Sequence, residues 1–282
     1  MIVKRTRPRL ALAVIVCCTL LSFMTMNRSF CQALNNDMGA HRQLRRVLSF
    51  SLYGNSTRYS DGAIANSRLF TSVYHDWEMW VYHDHTVSDI ILDKLRSSGV
   101  TLIDMSKSDL NPMNWRFLPA SDESIDRFCS RDIDSRLSLR EFAAVREWLD
   151  SRFKVHMIRD HPGHTGHPLM GGLWCASQDA VSWMREALMN HHRDAHFNAD
   201  QEFLAEKVWP VVRNSTLHHV AFGCDKWENS REMPLPRVGL EHVGAVYIDG
   251  FLRAEDSETL KQAIFEGNEC HGETFADLAS SG

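Results

Sequence analysis

The sequence predicts an α/β fold in which a mostly parallel central sheet is flanked by helices. Three observations carry this: apolar runs of strand length recur, amphipathic segments of helix length separate them, and three such strands come in close succession. Residues 47–53 read as the first strand, closed by Gly54, with a helix over about 61–73. Residues 77–82 read as a strand, 83–97 as a helix and 100–104 as a third strand. Trp115-Arg116-Phe117-Leu118-Pro119 then reads as a short helix and residues 125–130 as a fourth strand. Ser138 and Glu141 have capping-box spacing and open a helix whose Phe142, Val145, Trp148 and Leu149 share one face. Residues 154–159 form another strand, helices follow over 178–190 and from near Asp200, and a short helix with a polar tail ends the chain after Gly250. No GxGxxG follows the first strand, which disfavours a dinucleotide-dependent dehydrogenase.

The chain has 282 residues, 44% hydrophobic and 24% charged, as in ordinary globular domains. With a net charge of -5 and a pI near 6.3, and with Lys and Arg scattered outside the N-terminus, no nucleic-acid partner is expected.

Lys4, Arg5, Arg7 and Arg9 precede an uncharged apolar run from Leu10 to Met26. As a helix this run would span about 25 Å, enough for a short transmembrane segment. The basic flank orients it as a single-pass type II signal anchor. The expected organisation is a cytosolic tail over 1–9, an anchor over 10–26, a polar stem over 27–44, a main domain over 45–250 and a C-terminal helix and tail over 251–282. A cleaved signal peptide ending near Cys31-Gln32-Ala33 is the other reading and would give a secreted protein. Either way the main domain faces a lumen (Golgi or ER) or the exterior. The acceptor triplets at Asn27, Asn55 and Asn214 agree. Of seven cysteines, Cys17 and Cys18 lie in the apolar run; the other five lack CxxC spacing and allow one or two disulfides of unassigned pairing.

Asp132 and Asp134 stand two apart at the end of the fourth strand, where a side-chain period of two points both carboxylates the same way. Two convergent carboxylates suit a hard divalent ion whose shell phosphate oxygens complete. The alternative is a polar turn in which Asp134 pairs with Arg136. Asp160, His161, His164 and His167 fall within eight residues; they could bind zinc and support hydrolysis, although their spacing matches no zincin pattern. The other reading places this cluster along a donor or acceptor pocket.

The run Ser130-Arg131-Asp132-Ile133-Asp134-Ser135-Arg136-Leu137-Ser138 closes a fourth strand. With Trp115-Arg116-Phe117-Leu118, the Arg159-Asp160-His161-Pro162 stretch, Met170-Gly171-Gly172-Leu173-Trp174 and Asp200-Gln201, it resembles a little-described branch of the GT-A nucleotide-diphospho-sugar transferases. These motifs span about residues 47–247. The resemblance implies a Rossmann-like GT-A domain and transfer of a sugar, hexosyl or related, from a nucleotide-diphosphate donor to a hydroxyl on a glycan, protein or lipid. By the same resemblance Asp132 and Asp134 hold Mn2+ or Mg2+ against the diphosphate. Asp200 and Gln201 would orient the sugar or act as a base, and Gly171 and Gly172 would let backbone approach it. His219, or equally His218, is the candidate third metal ligand, although the Asp-Ser expected after it is absent. Arg131, Arg159 and Lys226 are available to offset diphosphate charge. The changes near His219, and Cys175 where glycine is expected, leave open a catalytically silent domain that binds glycans or proteins.

Overall fold

The computed structural model describes residues 45–191 and 198–270. The expected tail, anchor and stem, and the end of the polar tail, lie outside them. Among the described residues no helix is long and apolar enough to cross a membrane.

The central sheet holds eight strands: β1 (Arg45–Leu52), β2 (Glu78–His83), β3 (Thr101–Asp104), β4 (Ile125–Arg131), β5 (Val155–Arg159), β6 (Leu173–Ser177), β7 (Thr216–Val220) and β8 (Ser230–Glu232), in the order β3-β2-β1-β4-β6-β5-β7-β8. Only β6 runs against its neighbours, β4 and β5; the other pairs are parallel. The sheet is covered on both faces, and successive residues enter opposite cores. Val47, Trp80, Phe128 and Trp174 join one cluster, while Leu48, Phe50, Met79, Cys129 and Cys175 join the other. Among the covering helices are α1 (Thr57–Val73), α2 (Asp89–Ser97) and α3 (Leu139–Leu149), with a 3₁₀ segment at Pro112–Ser121. Phe117 of that segment stands edge-on to Trp174 at 5.7 Å between ring centroids, which seats it on the face opposite α1.

The first five strands fall where the sequence places them. β6 and β7 do not announce themselves. Five buried apolar-to-small residues after two glycines have no period that separates strand from helix, and β7 carries His218 and His219 in its middle. The helix expected over 178–190 is split into α4 (Gln178–Val181) and α5 (Met184–His191). The helix from Asp200 is α6 (Ala199–Phe203), which passes through a π turn at Leu204–Val208 into α7 (Trp209–Val212). Pro210, lacking an amide proton, sits just past that widened turn. A two-stranded ribbon, β9 (Tyr247–Ile248) and β10 (Phe251–Leu252), and α8 (Ala254–Phe265) complete the described chain.

Two disulfides resolve the open pairing. Cys129–Cys175 joins directly opposed residues of β4 and β6, and Cys224–Cys270 ties the end of the described chain to the loop after β7. The capping box is half formed: Ser138 Oγ accepts from the Glu141 amide at 3.2 Å. The Glu141 carboxylate instead accepts from Arg131 Nε at 2.6 Å and Tyr74 hydroxyl at 2.7 Å, all three side chains being buried. A buried arginine offers more to that carboxylate than a backbone amide at a solvated cap.

Candidate active site

The Asp-x-Asp segment leaves β4 as a tight turn rather than continuing the strand, with the Ser135 amide and hydroxyl both donating to the Asp132 carbonyl. The carboxylates therefore converge through the turn and not through strand alternation. Helix α1 fixes that turn with three residues spaced by four, which share a helical face. Arg58 donates from Nε to Asp134 Oδ2 at 2.7 Å. Gly62 allows the close approach, since a Cβ there would overlap the Ile133 carbonyl. Asn66, fully buried, donates to the Ile133 and Ser135 carbonyls at 3.1 and 2.9 Å and accepts from the Leu137 amide at 3.1 Å.

On the other side, Arg116 of the 3₁₀ segment reaches under the turn. Its amide donates to Ser51 Oγ at the end of β1. Its guanidinium bridges Asp132 Oδ1 and Asp200 Oδ2, the latter at 2.7 Å. Burial opposes the charge of Arg116, yet the two carboxylates more than offset it and its pKa is raised. A Cβ on Gly171 would overlap Arg116 and Asp200, and one on Gly172 would overlap the Asp132 carboxylate. Ser130 Oγ donates to the Gly171 carbonyl at 2.6 Å. With its amide oriented to satisfy both ends, Gln201 donates to the Leu169 carbonyl at 3.2 Å and accepts from the Gly171 amide at 3.1 Å.

Arg58, Arg116, Asp132, Asp134, Asp200 and Gln201 line one cleft of about 280 Å³, together with Tyr53 and Tyr59. It opens at the carboxyl ends of β1 and β4, where open α/β sheets bind ligands. The donor set fits a hard cation: two carboxylates of one turn face the cleft, one largely buried (Asp134, side chain 8% exposed) and one accessible (Asp132, 43%). Burial and the Asp132 charge push the Asp134 carboxyl up from its ordinary value, against the pull of Arg58. Each carboxylate thus carries its own arginine.

Asp132, Asp134, Gly171, Gly172, Asp200 and Gln201 are brought together. Arg131, Arg159, Lys226 and His219, with its alternative His218, are not, and each has a structural engagement elsewhere. Arg131 is buried against Glu141 and the Ser130 and Trp174 carbonyls. Arg159 donates to the His164, His167 and Pro168 carbonyls and stacks on Trp227, its guanidinium carbon 3.8 Å from the ring centroid. Lys226 donates to the Thr165 carbonyl at 2.6 Å. His219 is fully buried between His156, at 2.7 Å, and Glu147, at 3.0 Å, so it does not join the two carboxylates. His218 packs between Trp209 and Trp227.

The histidine loop is corrected as well, for none of its residues lines the cleft. Asp160 is consumed by Arg140 and Arg237, and the His167 carbonyl serves Arg159. Among the described residues neither Asp160 nor His167 joins His161 and His164 in a group that could hold a metal, so the four residues do not form the zinc centre that a hydrolase of this loop would need. Arg58 has no signal in the sequence beyond the 58/62/66 spacing on α1, whereas Arg116 stands in the Trp115-Arg116-Phe117-Leu118 motif, which by itself gives it no role.

No family model and no curated protein matches the chain. Among solved structures, an active-site mutant of LgtC is 12% identical, with 82% of this chain and 99% of that one covered at a TM-score of 0.44. The mannosyltransferase PcManGT from Pyrobaculum calidifontis, in complex with GDP-Man and Mn2+, is 10% identical, covering 70% and 59% at 0.45. The 4-diphosphocytidyl-2C-methyl-D-erythritol synthase from Anaerococcus prevotii is also 10% identical, covering 63% and 87% at 0.43. Likenesses this distant carry no argument about this chain. The sheet itself, mostly parallel with flanking helices and an Asp-x-Asp turn closing β4, fits the GT-A architecture that the motif series implies.

Proposed function

We propose that the protein is a divalent-metal-dependent glycosyltransferase that moves a sugar from a nucleotide-diphosphate donor to an acceptor hydroxyl on a glycan, protein or lipid. The observation that carries this is the convergence of Asp132, Asp134 and Asp200 on one cleft, interleaved with Arg58 and Arg116, at the carboxyl end of a parallel sheet. Asp132 and Asp134 would hold Mn2+ or Mg2+, which when bound offsets the charge of the departing diphosphate. With His219 engaged elsewhere, donor phosphate oxygens and water would complete the shell. Arg58, and the Nη1 arm of Arg116 now on Asp132, would then be released toward the diphosphate while Nη2 of Arg116 stays on Asp200, and a planar fork suits phosphate oxygens. Asp200, held by Arg116 and by its hydrogen bond from the Gln201 amide at 2.9 Å, stands where it can orient the sugar or take the acceptor proton. Gln201 acts through the Gly171 backbone and is a positioning residue.

A membrane-anchored, luminal domain in the Golgi or ER, or a secreted one if the N-terminal segment is cleaved, is part of this reading. Two disulfides suit an oxidising compartment, and the basic-then-apolar N-terminus suits the anchor.

A thermal-shift screen of nucleotide sugars with Mn2+ tests the proposal, because ligands that bind the native state raise its apparent stability. The expected result is stabilisation by one nucleotide sugar, dependent on Mn2+ and lost in Asp134→Ala, with transfer or donor hydrolysis following the same pattern. No response to any nucleotide sugar overturns the reading. Metal-dependent binding without turnover on any acceptor class marks a silent binding domain of the same fold.

A further inference from the structure

Away from the cleft, two histidines of one loop meet a third from some eighty residues further along the chain in the interior. His161 and His164 come from the loop after β5, and His242 from the segment that leads into β9. They are 6%, 8% and 7% exposed. The His161 and His242 rings lie 4.5 Å apart by their centroids, His161 and His164 5.4 Å, and His164 and His242 5.9 Å. One ring nitrogen from each falls within 4.8 Å of the other two. We propose that His161, His164 and His242 form a transition-metal site, best suited to zinc, with water in the fourth position.

Hydrogen bonds around two of the rings set which nitrogen carries the lone pair. His161 Nε2 lies 3.0 Å from the Asp256 carbonyl, while its Nδ1 accepts from the Gly163 amide at 3.0 Å. That pair fixes the tautomer: Nε2 carries the proton and Nδ1 the lone pair. His242 Nδ1 lies 3.3 Å from the Leu240 carbonyl, which leaves the lone pair on Nε2. A metal-bound histidine characteristically donates its other ring N–H to a carbonyl or carboxylate in this way. His164 Nδ1 is buried with no hydrogen-bond partner. Such an orphan is unfavourable in a protein interior, and a metal bond would satisfy it.

The scaffold is fixed from outside the ring cluster. Asp160 accepts from Arg140 at 2.7 and 2.9 Å, from Arg237 at 2.9 Å and from the Val243 amide at 2.9 Å. It therefore fastens the residue after His242 to the residue before His161, and is itself no ligand. An all-imidazole donor set favours zinc over the oxygen-seeking Mg2+ or Mn2+, so this site and the carboxylate cleft select different ions. Closing on zinc, with Zn–N near 2.0–2.1 Å, would draw the widest pair together by roughly 1.5 Å, and His161 would give up its Gly163 bond. Bound there, the ion would clamp the 160–165 loop, the 240–247 segment and the first turn of α8. The same segment donates from the Tyr247 amide to the Asp134 carbonyl at 3.0 Å, behind the carboxylate turn.

The full chain, stripped by chelator and titrated with Co2+, tests the site, since nitrogen-ligated tetrahedral cobalt absorbs in the visible. A visible band that saturates at one equivalent of histidine-bound Co2+ is expected, displaced by Zn2+, retained in Asp132→Asn and lost in His164→Gln and His242→Gln. No band, or a band that persists in His164→Gln, overturns the proposal. Melting of the chelated variants beside chelated wild type shows whether they fold. If they do not, zinc-edge X-ray absorption of wild type decides: three nitrogens at about 2.0 Å support the site, and an all-oxygen shell refutes it.

Discussion

A Cβ added to Gly172 would overlap the Asp132 carboxylate and lie 2.9 Å from the Asp132 backbone nitrogen. The carboxylate could rotate away, but the backbone nitrogen cannot, so the turn itself must shift. Gly172→Ala should therefore leave the sheet folded, at a cost of about 1–3 kcal/mol for overpacking. Metal-dependent nucleotide-sugar binding should weaken by about tenfold or more, as a loss of ~1.4 kcal/mol in a misplaced ligand would give. Parallel melts and titrations of the variant separate the two effects.

Arg116 sits in direct competition with any cation for Asp132. Replacing it by Met leaves Asp200, nearly buried, without its partner, and removing one member of a buried pair costs about 3–5 kcal/mol. In Arg116→Met the apparent affinity for Mn2+ alone should rise, because the carboxylates have lost their arginine. Affinity for the nucleotide sugar should fall, because the diphosphate has lost its fork. Calorimetric titration of metal and of donor, done separately, checks both signs. A fall in both would mean that Arg116 only supports the fold.

The fold was legible to the extent that strands were long and periodic. β1 to β4 and the helices between them follow from alternation and spacing alone; Asp132 and Asp134 are marked by residue type and spacing, whereas Asp200 and the two glycines are marked only by the resemblance of their motifs. The rest depended on the antiparallel β6. Inserting it between β4 and β5 carries Gly171 and Gly172 to the carboxylate turn, and no local pattern foretells an antiparallel insertion of five residues. His219 is suggested as a ligand by the resemblance, and Arg131 and Arg159 as cations available to the diphosphate. Here each is buried and its polar atoms are spent on neighbours, which only three-dimensional packing reveals. His242 joined the loop histidines from some eighty residues away, beyond any spacing rule.

Asn66 is the clasp of the carboxylate turn. It makes three hydrogen bonds to turn backbone from a fully buried amide. Asn66→Ala strands two carbonyls and an amide, and at about 1 kcal/mol for each bond lost should destabilise by about 3 kcal/mol. The damage should also reach the site: metal-dependent donor binding should fall even below the melting transition, which a mere loss of core stability would not produce.

The two disulfides should part under mild reductant. Cys129 and Cys175 are fully buried within the sheet, whereas Cys224 is exposed and Cys270 partly so. Each spans 46 residues, a loop whose closure is worth on the order of 4 kcal/mol in the chain-entropy view. Cys224–Cys270 should open first, lowering the melting temperature while nucleotide-sugar binding persists. Thiol labelling followed by peptide mapping reads the order of opening. Earlier labelling of Cys129 would contradict it.

Acid should unfold the protein through its buried histidines. Burial first, and then the Arg159 charge, depress the His218 imidazole to about 3. Burial and the neighbouring His219 hold His156 well below its ordinary value. Both folded-state values lie below the unfolded value near 6.5, so as pH falls the unfolded chain takes up protons that the native state refuses. Stability is thus fully present above about pH 6.5 and declines from there toward pH 3, by up to about 1.4 kcal/mol per pH unit for each such group. Denaturant melts should show a flat stability from pH 7 to 8 and a steady fall from 6.5 to 4. His218→Phe, which keeps a ring between Trp209 and Trp227 but cannot titrate, should flatten part of that fall. An unchanged slope in this variant would assign the acid sensitivity to other groups.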